Sequence, residues 1–251
     1  MKMALETADT LNEMGWWSCW ARSFTPAQGV RALVSKEFAE PIFNRALFLR
    51  PPRDADGTVD QVITKFRRRG TKPSLFVREG DDYAEVRDAA SRAGMKRTGR
   101  LVIMEEVGLE PRGGEGVEVR QASKSELTDW SRAYLQAFYD DEALLSQVSK
   151  SVAKARSSRA NRLVLASRDG EAVGTMALHT ERGCTGLYCL GTVPSARGAG
   201  VAGSMLVMAH EVASALRTKL VLQVFESDGV EQFYAERGYR RAYVEEILGW
   251  A

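Results

Sequence analysis

The spacing of apolar and polar positions divides the chain into two stretches that share one order of elements. In the later stretch, Val117 to Arg120 reads as a short strand, and Leu127, Trp130, Tyr134 and Phe138 recur every three or four residues, the period of one helix face. Ser123, with Glu126 three positions on, is suited to cap that helix. A second helical stretch, Glu142 to Arg156, precedes strands at Arg162 to Arg168, Glu171 to His179 and Cys184 to Val193. Asp169-Gly170 and Glu181-Arg182-Gly183 are tight-turn sequences, so these strands are expected to form an antiparallel meander. A glycine-rich loop follows, then a helix from Gly200 to Arg217 with Val201, Met205, Met208, Val212 and Leu216 inward. A buried strand from Leu220 to Val224, a helix from Gly229 to Arg237 and a strand from Tyr243 to Leu248 end the pattern.

The earlier stretch begins with a strand from Pro41 to Leu49. Thr58 and Gln61 then form a capping box for a helix with Val59, Val62, Ile63 and Phe66 inward, closed by Gly70. A strand from Ser74 to Arg78, a helix from Tyr83 to Ala93 stopped by Gly94, and a strand from Arg100 to Val107 complete it. A shift of 144 residues carries Gly94 onto Gly238, Pro41–Leu49 onto Thr185–Val193, and Leu75–Val77 close to Leu220. One offset serving three elements is the mark of an internal duplication. The run Glu110 to Gly116, rich in glycine, proline and charge, reads as the linker between the copies.

Composition narrows the function classes. With 251 residues, 44% hydrophobic and 27% charged, the chain can bury a core without staples. Thirty-five Lys and Arg against 33 Asp and Glu leave +2, too little to gather nucleic acid or a membrane surface, so neither partner is expected. The acidic, polar opening lacks a signal-peptide core, which points to a cytoplasmic protein. Cys19, Cys184 and Cys189 are odd in number and lack metal-ligand spacing; they read as reduced packing residues, with no metal expected. His179 lacks a partner at ligand spacing and reads as structural, as do Trp16, Trp17 and Trp20, which suit a buried helical face or an interdomain contact.

The chemistry concentrates in Leu187 to Leu206, where a strand, a proline turn and small residues open a helix. Backbone amides at a helix start, with no side chains in the way, make a phosphate cradle, and Arg197 adds charge beside it. A nucleoside triphosphatase loop would need a lysine after its glycines, yet position 204 is Ser. Gly198, Gly200 and Gly203 formally satisfy the dinucleotide fingerprint, with Glu226 as the ribose acid. The hairpin-linked strands before them and the short chain after them argue against that fold.

Pro-x-x-Arg-Gly-x-Gly-x-Ala at Pro194 to Ala202, followed by Phe233-Tyr234-x-x-x-Gly238-Tyr239, resembles the GNAT superfamily of acyl-CoA-dependent N-acyltransferases. The resemblance spans about residues 117 to 248. It implies an α/β (α+β) fold of two GNAT-like mixed-sheet domains in tandem: residues 1–112 a degenerate copy, and residues 113–251 the complete one. It further implies acetyl-CoA as co-substrate, with Arg197, Gly198, Ala199, Gly200, Val201, Ala202 and Gly203 around the pyrophosphate. Leu190, Gly191, Thr192 and Val193 would pair with the pantetheine arm, Gly191 easing the splay of that strand. Tyr234 would lie near the thioester sulfur and protonate the leaving thiolate.

The chain departs from the family pattern in two places. Tyr188 stands where some members carry a strand carboxylate, leaving Tyr188 through water, a distant acid such as Glu226, or no base at all. Ser227 replaces an asparagine that contacts pantetheine. In the first half the loop maps to Arg50 to Gly57, with two prolines lacking N–H groups and two aspartates repelling phosphate, so that half is expected to be inactive. The function expected is transfer of an acetyl or other acyl group to the primary amine of a small molecule or peptide, by a monomer or homodimer. The acceptor is expected between Phe138 to Glu142 and Tyr243 to Trp250. The rivals are a non-catalytic acyl-CoA-binding regulatory module and a dinucleotide-binding oxidoreductase.

Overall fold

The computed structural model describes residues 5–108, 112–139 and 141–250. The first half runs α1 (Leu5–Trp17), β1 (Arg22–Phe24), β2 (Val30–Val34), β3 (Arg45–Phe48), α2 (Ala55–Arg67), β4 (Ser74–Arg78), α3 (Ala84–Arg92) and β5 (Lys96–Glu106). The second runs β6 (Glu118–Gln121), α4 (Leu127–Phe138), α5 (Leu145–Arg156), β7 (Asn161–Arg168), β8 (Glu171–Glu181), β9 (Cys184–Thr192), α6 (Val201–Leu216), β10 (Lys219–Phe225), α7 (Glu231–Ala235) and β11 (Tyr239–Gly249). The expected meander of β7, β8 and β9 is present, its turns made by Asp169 and Gly170 (φ 53° and 81°) and by Arg182 and Gly183 (φ 53° and 78°). The Ser123–Glu126 capping box is also present.

All eleven strands join one mixed sheet in the order β1-β2-β3-β4-β11-β5-β10-β9-β8-β7-β6. Each half has one parallel pair, β3 with β4 and β9 with β10. The two last strands change places. β5, from the first half, pairs with β10 of the second, and β11 pairs with β4 of the first. β5 and β11 then pair with each other from Glu106↔Tyr239 to Lys96↔Gly249, with register shifts at Arg241/Tyr243 and Ile247/Leu248, so the two halves meet along a long antiparallel ladder. The 144-residue shift also holds here: β4, β5 and α2 map within a few residues of β10, β11 and α6, and Gly94 and Gly238 share a left-handed φ of 79° and 87°.

Strands buried on both faces read as unbroken apolar runs. Leu101 and Ile103 of β5 face the cluster under α1, α4 and α5, while Val102 and Met104 face the cluster that contains Val201, Met205 and Leu206 of α6. Trp16, Trp17 and Trp20 are buried; Trp16 stacks on Tyr188 at 5.5 Å between centroids, and Trp17 meets Phe43 edge-on at 5.5 Å. Helix α1 thus packs first-half aromatics onto β9 of the second half.

Several local expectations are corrected. Pro41 to Phe43 form a 3-10 turn, and strand begins only at Arg45, because Asn44 spends its side chain on the Ser35 amide and the Phe38 carbonyl. Helix α2 is capped by Asp54, which accepts from the Gly57 amide at 2.9 Å; Thr58 lies inside the helix. The inward stripe of α6 is Val201, Met205, Leu206, Ala209 and Ala213; Met208 and Val212 are half-buried and Leu216 is exposed. A left-handed Gly229 shortens α7. In the linker, Glu110 and Pro111 lie outside the described residues.

Candidate functional site

Strands β9 and β10 pair only from Cys184↔Lys219 to Leu187↔Leu222. Beyond that point β9 carries a bulge: Ala177 of β8 faces Tyr188 while Thr175 faces Gly191, leaving one extra residue on β9. Cys189 absorbs it with a left-handed φ of 53°, and the Thr175 hydroxyl donates to its carbonyl at 3.1 Å. The departure from regular pairing therefore centres on Cys189, two residues before the expected Gly191. Gly191 serves another need: a Cβ there would lie 2.5 Å from the Phe138 ring and 2.7 Å from Ala137, so its bareness lets α4 close over the strand.

Past the bulge the chain turns at Pro194 into the start of α6. Gly198 and Gly200 have φ of 82° and 77°, a region glycine enters without strain. The amides of Gly198, Gly200, Val201, Ala202 and Gly203 donate no backbone hydrogen bond among the described residues. They surround a recess of about 370 Å³ whose described lining includes three arginines, Arg112, Arg197 and Arg237, and no acid. Arg197 is steadied by donating to the Ala137 carbonyl at 3.3 Å. Free amides, a helix start and three arginines are an arrangement suited to an anion.

Not every glycine here serves an anion. A Cβ on Gly200 would lie 2.5 Å from the Gly114 Cα, and one on Gly203 would collide with the Arg112 carbonyl. These two glycines make room for the linker, which brings Arg112 to the recess. Ala199 lies outside the recess lining, and Val193 is buried with its amide on the Val173 carbonyl.

The recess continues into a larger cavity of about 690 Å³, and Leu190, Thr192, Arg197, Val230 and Tyr234 line both. Tyr234 is 8% exposed, packed edge-on against Phe233 and Tyr239, and burial with the nearby Asp228 charge raises its phenol above the ordinary range. Tyr188 also lines the cavity, but its hydroxyl donates to Asn12 at 2.8 Å, and burial raises it well above its usual pKa. Glu226 is spent on Arg100 at 2.7 Å, outside the lining. Ser227 is exposed and lines neither space.

The carboxylate that does line the cavity is Asp228, which the sequence pattern passed over; partial burial raises its pKa. Its signal was its position, six residues before Tyr234 at the mouth of β10. Of the expected acceptor segments, Phe138 and Tyr139 line the cavity, whereas Tyr243 to Trp250 do not. The far wall comes instead from the first half, through Trp17, Ile42, Phe43 and Leu101.

Beneath that wall lies a buried polar cluster. Arg45 meets Glu13 at 3.0 Å, Gln223 donates to Glu13 at 2.5 Å, and Tyr243 donates to Asp9 at 2.6 Å. Burial and the Glu13 charge raise Asp9 to about 7 and Glu245 to about 8. Among the described residues no group of His, Cys, Asp and Glu is arranged to hold a metal ion, and no helix is long and apolar enough to cross a membrane.

Residues 119–248 match the sequence profile of the Acetyltransferase (GNAT) domain. Among curated proteins none matches the chain. Solved structures share the fold at low identity. A GCN5-related N-acetyltransferase from Kribbella flavida aligns over 98% of this chain and 96% of its own, with a TM-score of 0.73 and 20% identity. One from Sphaerobacter thermophilus aligns over 90% and 81%, with a TM-score of 0.65 and 13% identity. A tandem GNAT protein from the clavulanic acid biosynthesis pathway aligns over 87% and 77%, with a TM-score of 0.62 and 11% identity.

Proposed function

Because the chain belongs to the GNAT acetyltransferase family, whose domain spans residues 119–248, we propose that it moves an acetyl group from acetyl-CoA to the primary amine of an acceptor. The observation that carries this reading is a pair of adjoining spaces that lead from the free amides of the α6 N-terminus, along the bulged strand β9 and past the shared Tyr234, to Asp228. Acetyl-CoA supplies an activated acyl carbon and a thiolate leaving group.

The chain's residues act at both ends of those spaces. The amides of Gly198, Val201 and Ala202, with Arg112, Arg197 and Arg237, hold the pyrophosphate and the remaining phosphate charge. Leu190 to Thr192 offer strand-edge amides to the pantetheine, with the Cys189 bulge turning them toward the cavity. Asp228, with its raised pKa, takes the proton the ammonium must lose before it attacks. Tyr234 stays protonated and donates a hydrogen bond to the sulfur as negative charge grows there. Full proton transfer from a phenol above 10 to a thiolate near 8.5 is uphill, so hydrogen bonding is the larger part of its role. The N-terminal half, residues 1–112, is a degenerate copy of the domain in 113–251, kept to complete the sheet and wall the acceptor end.

Calorimetric titration with acetyl-CoA tests the reading, with NAD and ATP as parallel ligands. Saturable binding of acetyl-CoA alone is expected, lost in Ala202→Glu, which sets a carboxylate at the helix start without straining the backbone. Binding of NAD, or of none of the three, would overturn it.

A further inference from the structure

The acceptor end of the cavity is unlike its phosphate end. Away from the glycine loop, the walls are Trp17, Ile42, Phe43, Leu101, Phe225 and Tyr139, and Asp228 is the one charged side chain among the described lining residues not shared with the loop. Two of the polar groups at that end are committed to the protein. The Tyr188 hydroxyl is on Asn12, and the Gln223 amide nitrogen is on Glu13. A sugar or other hydroxyl-rich acceptor would leave much of its polarity unpaired against those walls, and a polyamine would bring charges with no second carboxylate among the described lining residues to meet them. Aromatic faces around one carboxylate suit an organic cation, whose charge the rings also attract.

The volume narrows the choice further. At about 690 Å³, the cavity must hold the acyl end of the thioester as well as the acceptor, and the first half closes its far side through residues such as Phe43, 1% exposed. We infer that the acceptor is a small amine with one positive charge on a flat apolar body, its ammonium at Asp228 and its body against the half-buried Ile42, Tyr139 and Phe225. This rests on the acyl-transfer reading and adds the substrate class to it.

The experiment measures acetyl-CoA-dependent thiol release with phenethylamine, spermidine, glucosamine and a glycine tripeptide, alongside calorimetric binding of each amine. Phenethylamine is expected to exceed the others by about 100-fold in kcat/KM, the scale on which an apolar site rejects unpaired polar groups. Asp228→Asn is expected to weaken phenethylamine binding about tenfold or more while acetyl-CoA binding holds. Ile42→Asp, at a half-buried wall position, is expected to narrow the gap to spermidine. Spermidine, glucosamine or the tripeptide outperforming phenethylamine while acetyl-CoA binds overturns the substrate class and leaves acyl transfer standing. If acetyl-CoA does not bind, acyl transfer falls, and the amine titration still decides: saturable phenethylamine binding lost in Asp228→Asn upholds the cavity chemistry, and its absence overturns it.

Discussion

The amide of Gly114 donates to the Ser204 hydroxyl at 2.8 Å, fastening the segment between the two halves onto the first turn of α6. A Cβ on Gly114 would strike the Ala199 carbonyl and come within 2.9 Å of the Gly200 Cα. Gly114→Val must therefore push the linker off the phosphate loop. The expected cost is about 1–3 kcal/mol of stability, the range for forced overpacking, together with weaker acetyl-CoA affinity as Arg112 is displaced. Thermal melts and calorimetry on the purified variant read both effects, and unchanged affinity would remove Arg112 from the site.

Tyr234 shapes turnover more than binding if it acts at the sulfur. Tyr234→Phe keeps the ring among Phe233 and Tyr239 and removes only the hydroxyl. Turnover is expected to fall about 10- to 100-fold, with acetyl-CoA affinity nearly unchanged. An equal loss in both would make Tyr234 a packing residue, and a protein with binding but no turnover to lose would be a sensor rather than an enzyme.

The exchange of β5 and β11 predicts how the chain can be cut. A fragment of residues 113–251 lacks β5, so the edge of β10 is bare and β11 has lost both neighbours. Neither it nor residues 1–112 should form a stable monomer, because bare sheet edges recruit other chains. Co-expressed, the two fragments are expected to assemble one to one with native hydrogen-exchange protection in β5 and β11. Independent monomeric folding of 113–251, seen by size exclusion and exchange, would contradict the exchanged ladder.

One acetyl-CoA is expected per chain. In the first half, Asp54 sets its carboxylate on the Gly57 amide at the start of α2, the place an incoming phosphate would need. Calorimetric stoichiometry checks this; a value of two would mean that Asp54 yields its position.

Stability should fall as pH rises through neutrality. Asp9 and Glu245 are raised to about 7 and about 8 by burial and by Glu13, against which Arg45 and Arg78 pull down. A raised acid binds more protons folded than unfolded, so its contribution is complete below the unfolded pKa and is lost as pH climbs through the folded one. Glu126, held low by Arg120, has the opposite sign, and its stabilisation is lost only in strong acid. The melting temperature should therefore decline most steeply between about pH 5 and pH 7, where the unfolded carboxyls are ionised and the folded ones still hold their protons, and level off above about pH 8; Glu245→Gln should flatten that slope. A rising or unchanged melting temperature over this span would reject the account.

The sequence alone determined what is local or nearly so. Period and turn chemistry located the helices α4 to α6 and the meander β7 to β9, because tight turns and one-sided burial leave their mark within a few residues. The glycine-rich run identified the α6 start, since only residues without side chains leave amides open at a helix N-terminus. The common order of strand, helix, strand, helix, strand that closes each half was legible for the same local reason, as was the pair of left-handed glycines, Gly94 and Gly238.

Tertiary structure decided what depends on distant neighbours. No local pattern distinguishes β5 beside β10 from β5 beside β4, because either position buries Leu101 to Met104 on both faces. The burial of α1 had no local signal for a related reason: its Asp9, Asn12 and Glu13 are polar, yet they are buried through Tyr243, Tyr188, Arg45 and Gln223, all contributed by strands of the sheet. That Tyr188 and Glu226 are already held by protein partners was likewise beyond the sequence. A side chain's chemistry depends on which partner reaches it first, and Asn12 and Arg100, distant along the chain, took these two.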